Sequence, residues 1–442
     1  MKETSMRRRD WLAGLAGAMV ASGSTPDIEY ELSEDGGWCW FQDERALMIG
    51  DRVVFGYVAS GHRDPRRRGR VEIAEWGPND RVATAGLHEP EAESERRAWV
   101  DDHNAPAFLM RRDGRILVVY SQHGRENRIY YRISKEPGDI RAWGAERVFV
   151  PSESSRVTYT NLHRVGGRIY NFFRGLDNSY KPSYMYSEDE GETWRTGNVL
   201  IQVPAQFRHR PYVRYAGDGR ETVHMVYTEG HPRDFDNSVY HVYLRDGQLH
   251  RSDATVLARL EKGLGRPEDG TRIFSGDAGN VAWTSDVHLD RSGLPVVVYS
   301  VQKDGAGKKP GEAGEDHRYR YARWDGRQWM DEEIGYAGSK LYPGEDDYTG
   351  NVCLDPQNVD VVYASSNVEV RTGQRLAHGR YQLFRGERQR GKWQWAPMTD
   401  TRDQDNIRPV VPIGGKGIVL WLRGRMTTYT NYRLAVMGKR LA

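Results

Sequence analysis

The sequence predicts an all-β chain folded as one seven-bladed β-propeller, and three observations carry that expectation. A short apolar strand ending in polar residues or glycine recurs seven times: 53–58, 116–121, 169–174, 223–228, 295–300, 360–365 and 418–423. The intervals of 53–72 residues are those of a repeat architecture with insertions. Nearly every copy follows a tight-turn signal, such as Asp113-Gly114, Gly166-Gly167, Asp218-Gly219 or Gly414-Gly415. Most are followed by a third alternating run, as at Ile129–Ser134, Ser183–Ser187, Tyr319–Trp324 and Tyr432–Met437. Three strands and a variable fourth make a propeller blade. At 442 residues the chain is too long for one continuous core, and repeated small cores solve that problem.

In chain order, residues 1–24 read as a signal peptide. Arg7-Arg8-Arg9-Asp10-Trp11-Leu12 precedes a short apolar run to Val20 and small residues beyond it. The paired arginines point to the twin-arginine export route, hence a periplasmic or secreted protein. The run is shorter than the ~20 residues that span a bilayer. Lys2 and the three arginines, less Glu3 and Asp10, account for the whole formal charge of +2. The propeller, 25–442, is therefore neutral, which excludes the basic stripe of a nucleic-acid binder. Residues 28–32 are expected to add the closing strand to the last blade. Ser187-Glu-Asp-Glu-Gly-Glu-Thr-Trp194 is an Asp box, a turn whose Ser and Asp hold the backbone over a packed Trp. Asp253 is expected to cap a helix over 254–264. Cys39 and Cys353 lie too far apart in sequence for a disulfide framework.

Candidate chemistry gathers where first strands begin and second strands end. Folding 101–124 about Asp113-Gly114 brings His103, Asn104 and His123 to the open end of one hairpin. Folding about Gly166-Gly167 sets Tyr159 opposite Arg174, and folding about Asp218-Gly219 sets Arg210 opposite Tyr227, with Arg208 beside it. The other blades offer Gln42, Asp286, Asp347-Tyr348 and Asn406-Arg408. Arginines bind carboxylates through charge-assisted pairs, and His and Tyr exchange protons on either side of neutrality. Such a set suits an acidic sugar. The reaction it fits is β-elimination next to a uronate, where a cation holds the carboxylate, a base takes the C5 proton and an acid protonates the leaving oxygen.

Four stretches resemble one family: Gly36–Ala46, Asp102-His103-Asn-x-Pro-Ala107, Gly230–His241 and Asp347–Asp355. The chain resembles BNR-repeat propellers that include the ulvan lyases. The resemblance implies His103 as base and Tyr159 as acid, or as base for the C5 epimer. It places Arg174 and His123 on the carboxylate and makes Arg210, Tyr227, Asn104 and Arg208 substrate-binding. It also implies a possible structural zinc or calcium ion near His231 and His241, with no cofactor needed for the chemistry. The expected partner is an acidic polysaccharide, bound by a monomer. Two other functions stay open: an exo-acting hydrolase like the α-L-rhamnosidases, disfavoured by Gln42 where a His is wanted, and a non-catalytic carbohydrate-binding propeller.

Overall fold

A computed structural model describes residues 28–177, 180–202 and 211–441. Arg208, Arg210 and the signal segment lie outside the described residues. Seven antiparallel sheets surround one axis. Their innermost strands are Ala46–Ile49, Ala107–Met110, Thr158–Val165, Val213–Gly217, Val281–Leu289, Val352–Asp355 and Asp405–Val410. All seven apolar repeats form the second strands, including Ile116–Ser121 and Pro295–Gln302, where every residue is buried. They read as unbroken apolar runs because both faces pack against neighbouring blades.

The ring closes as expected: Glu29–Ser33 pairs with Asn431–Arg440, so the last sheet combines the two ends of the described chain. The Asp box forms its turn. Asp189 accepts from the Thr193 backbone at 2.8 Å and Oγ1 at 2.6 Å, Ser187 Oγ accepts from Gly191 at 2.7 Å, and Trp194 is buried. The helix expected after Asp253 is absent. Asp253 accepts from Thr255 N, an Asx turn, and Val256–Arg259 continues as a strand against Gln248–His250. The one α-helix among the described residues, Glu93–Trp99, lies elsewhere. Among the described residues no helix is long and apolar enough to cross a membrane.

Candidate active site

The segment from Trp38 to Asp43 enters the axial channel and plugs it. Trp40 meets Phe41, Trp283 and Tyr348 at ring distances of 5.1, 5.5 and 5.4 Å, and its indole donates to Thr284 O at 3.1 Å. Behind these rings Arg214 bridges Asp43 at 2.7 Å and Asp286 at 2.8 Å. A buried guanidinium tolerates that position only because two carboxylates satisfy it. The mouth is therefore a funnel with an aromatic floor.

On its wall the hairpin ladder runs from Ala107–Val119 to Met110–Ile116. Extended by the same register, it sets His103 against His123, and their rings stack 4.0 Å apart at 9°. Asp101 holds both. Its Oδ1 lies 2.8 Å from His103 Nδ1 and accepts from His103 N at 3.0 Å, while Oδ2 lies 3.1 Å from His123 Nδ1. One carboxylate thus orients two imidazoles with Nδ1–H inward, leaving each Nε2 as the other ring nitrogen. The neighbouring Asp102 pairs with Arg408 from the last blade. Its Oδ1 also lies 2.8 Å from His103 Nδ1, so both adjacent acids face the inner imidazole.

His123 is 26% exposed at its side chain and lines a cavity of about 390 Å³; His103, 3% exposed, lies behind it. Burial opposes charge on His103, but Cys39, Asp102, Tyr159 and Asp101 outweigh it and raise its pKa well above 6.5. Burial and the His103 charge hold the His123 pKa below its ordinary value, with Asp101 opposing. Of the stacked pair, the inner ring is the one whose surroundings favour the proton.

Tyr159 sits in a bulge, with φ +64°, between the pairs Thr158–Arg174 and Asn161–Phe172. Arg174 is therefore paired with Thr158, one residue from the expected partner. The positive φ swings the Tyr159 ring to 5.6 Å from His103 and 5.6 Å from the Arg174 guanidinium carbon. Burial raises the phenol well above 10, so it stays protonated. Arg174 donates Nε–H to Tyr180 O at 3.0 Å and lies 4.1 Å from the Tyr212 ring, with Nη2 buried and lacking a hydrogen-bond partner. A buried donor without an acceptor is costly, and here it borders the cavity. Arg125 adds an exposed cation to the same cavity, and Tyr429 from the last blade covers both imidazoles edge-on at 5.0 and 5.5 Å.

Four expected roles are corrected by the geometry. Tyr227 is fully buried, donates to Pro267 O at 2.8 Å and pairs with Val213 rather than residue 210, because the turn spans 218–221. Tyr212 occupies the mouth position instead. Asn104 is also buried; its amide donates to Trp99 O and its oxygen accepts from His123 N at 2.8 Å, so its polar atoms are spent on positioning the loop. His231 packs on Trp283 at 4.7 Å and accepts from Arg233 N, whereas His241 lies 3.0 Å from His224 and 2.8 Å from Ser252 Oγ. Among the described residues neither joins a group of three metal donors. The groups that do form are Asp101, His103, His123 and Cys39, Asp102, His103. In the first, Asp101 occupies both Nδ1 atoms. Gln42 spends its amide on His103 O at 2.6 Å. Sequence reading missed Tyr212, Tyr429 and Arg125; only Tyr212, after Pro211 at a strand start, carried a usable signal.

Two solved structures of a polysaccharide lyase, an ulvan lyase alone and bound to -[GlcA(1-4)Rha3S]-, match with TM-score 0.66, 14% identity, 92% of this chain and 95% of theirs. An α-L-arabinofuranosidase of Fusarium graminearum matches at TM-score 0.43 and 12% identity over 75% of this chain and 91% of its own. No curated protein sequence matches. The first pair shares the propeller fold across nearly the whole length. Residues 62–336 match the BNR repeat-containing family, and the chain belongs to it.

Proposed function

We propose that the protein is a polysaccharide lyase that cleaves a uronate-containing glycan of the ulvan type by β-elimination. The observation that carries this reading is the single cavity in which His123 and Arg174, with its unpartnered Nη2, meet, with the His103 and Tyr159 rings packed against His123. Arg174 binds the uronate carboxylate, and the charge on His103 favours the enediolate that develops there. The roles of the two imidazoles are exchanged relative to the sequence expectation. The neutral, cavity-facing His123 takes the C5 proton on Nε2. The C5–H electrons become the C4–C5 double bond, and the C4–O bond breaks. Tyr159 gives its phenolic proton to the departing oxygen. The products are a 4,5-unsaturated uronate and a free hydroxyl on the leaving sugar, with no oxidant or cofactor consumed. Export by the twin-arginine route suits a substrate too large to enter a cell.

Incubation with ulvan-type uronates is expected to give an ultraviolet-absorbing unsaturated product. New reducing ends without that chromophore would mean hydrolysis, and binding without products a lectin. His123→Ala and Tyr159→Phe should each lower turnover by ~10²–10⁴ with the fold intact.

A further inference from the structure

A second cavity, of about 310 Å³, opens on the same face of the ring. It is built from equivalent positions two blades on: the loops after Thr222–Tyr227 and Pro295–Gln302, and the chain entering Val352–Asp355. Its wall is close to the first site. Tyr212, which lines the first cavity, packs 5.5 Å from His231, and His231 Nε2 lies 4.0 Å from Glu345, which lines the second.

The two cavities differ in charge. Arg174 and Arg125 face the first. The floor of the second is Glu345-Asp346-Asp347, and three of the cations near it are held by acids. Lys340 holds Asp346 at 2.8 Å, Arg233 holds Glu345 at 3.2 Å, and Lys308 holds Asp304 at 2.9 Å; Lys309 stands on the exposed rim. Among the described residues Asp347, 7% exposed, has the Gln302 amide as its partner, which donates to it at 2.8 Å when its nitrogen faces the acid. Burial, then Asp346 and Glu345, push its carboxyl up to about 7. Glu345 Oε2 is the buried atom that Arg233 Nη2 approaches at 3.2 Å. Such a floor accepts hydrogen bonds from sugar hydroxyls and repels a fixed negative charge at short range.

We infer that this cavity is the subsite for the sugar next to the uronate, and that it selects an uncharged residue over a sulfated one. This rests on the lyase reading. The preferred polymer then carries charge on alternate residues only, unlike the sulfated repeat bound by the ulvan lyase of the same fold.

The test uses matched uronate oligosaccharides, one sulfated on the neighbouring sugar and one chemically desulfated. Calorimetric titration of the His123→Ala protein measures binding without turnover. The desulfated ligand is expected to bind at least ~10-fold more tightly, and adding Asp347→Asn is expected to narrow that ratio. Equal affinities, or tighter binding of the sulfated ligand, overturn the subsite. Wild-type kcat/KM on the two substrates should show the same order, and the reverse order overturns it equally. Failure of the lyase reading has a separate signature: no unsaturated ends from either substrate, whichever binds better.

Discussion

At His123, neighbouring charge decides which imidazole would serve as base in the proposed elimination. The cation on His103 depresses its pKa and the Asp101 carboxylate raises it, after burial has lowered it. A general base must be neutral, so kcat/KM should climb with pH along a limb centred below 6.5. It should then stay flat to strongly alkaline pH, because the Tyr159 phenol is held well above 10. His103→Gln removes the cation and should move the acid limb to higher pH. Asp101→Asn removes the anion and should move it lower. A wild-type limb above 6.5 would instead assign the base to His103, whose pKa is raised. The meeting of these two rings was legible in the sequence, since a hairpin register is simple arithmetic once the turn is known. Their division of labour was not, because it depends on which ring lies deeper and on acids brought from other elements. Tyr429 was illegible for a related reason: it belongs to a hairpin turn of the last blade that reaches across to the second.

Elements set the accuracy of such readings. Strand repeats survive insertion because both faces of each second strand are buried, and that burial imposes an apolar run wherever the blade falls in the chain. Register is more fragile. The Asp218–Glu221 turn is longer than a two-residue loop, and this moved the predicted partner of Tyr227 by three positions. The bulge at Tyr159 moved another by one. Asp253 looked like a helix cap because Asp favours caps and Asx turns for the same reason, a carboxylate within reach of nearby backbone N–H groups. The Asp box shows that chemistry in isolation from the site. Asp189→Ala would strip the acceptor from Thr193 N and Oγ1. It should cost about 1 kcal/mol of stability in urea unfolding while leaving kcat unchanged; a fall in kcat would give the box a role beyond its turn.

At the scale of the molecule, ring closure and the site are one problem. The last blade supplies Arg408 to Asp102 and Tyr429 to the imidazole pair, and that blade is completed by Glu29–Ser33. Leu32 is the apolar anchor of this strand, buried where Gly438 leaves room: a Cβ there would come within 2.7 Å of the Leu32 side chain. Glu29 adds an ion pair to Arg423 on the blade's inner hairpin. Truncating Leu32 to Ala should therefore lower the unfolding free energy by ~2–5 kcal/mol, as for other buried leucines. The loss should fall first on the closure. In a urea titration of Leu32→Ala, the proposed lyase activity should decline before the tryptophan fluorescence of the other blades, because a loosened last blade withdraws Tyr429 and Arg408 from the funnel. Coincident loss of both signals at an unshifted midpoint would mean that the strand is not what holds the ring shut.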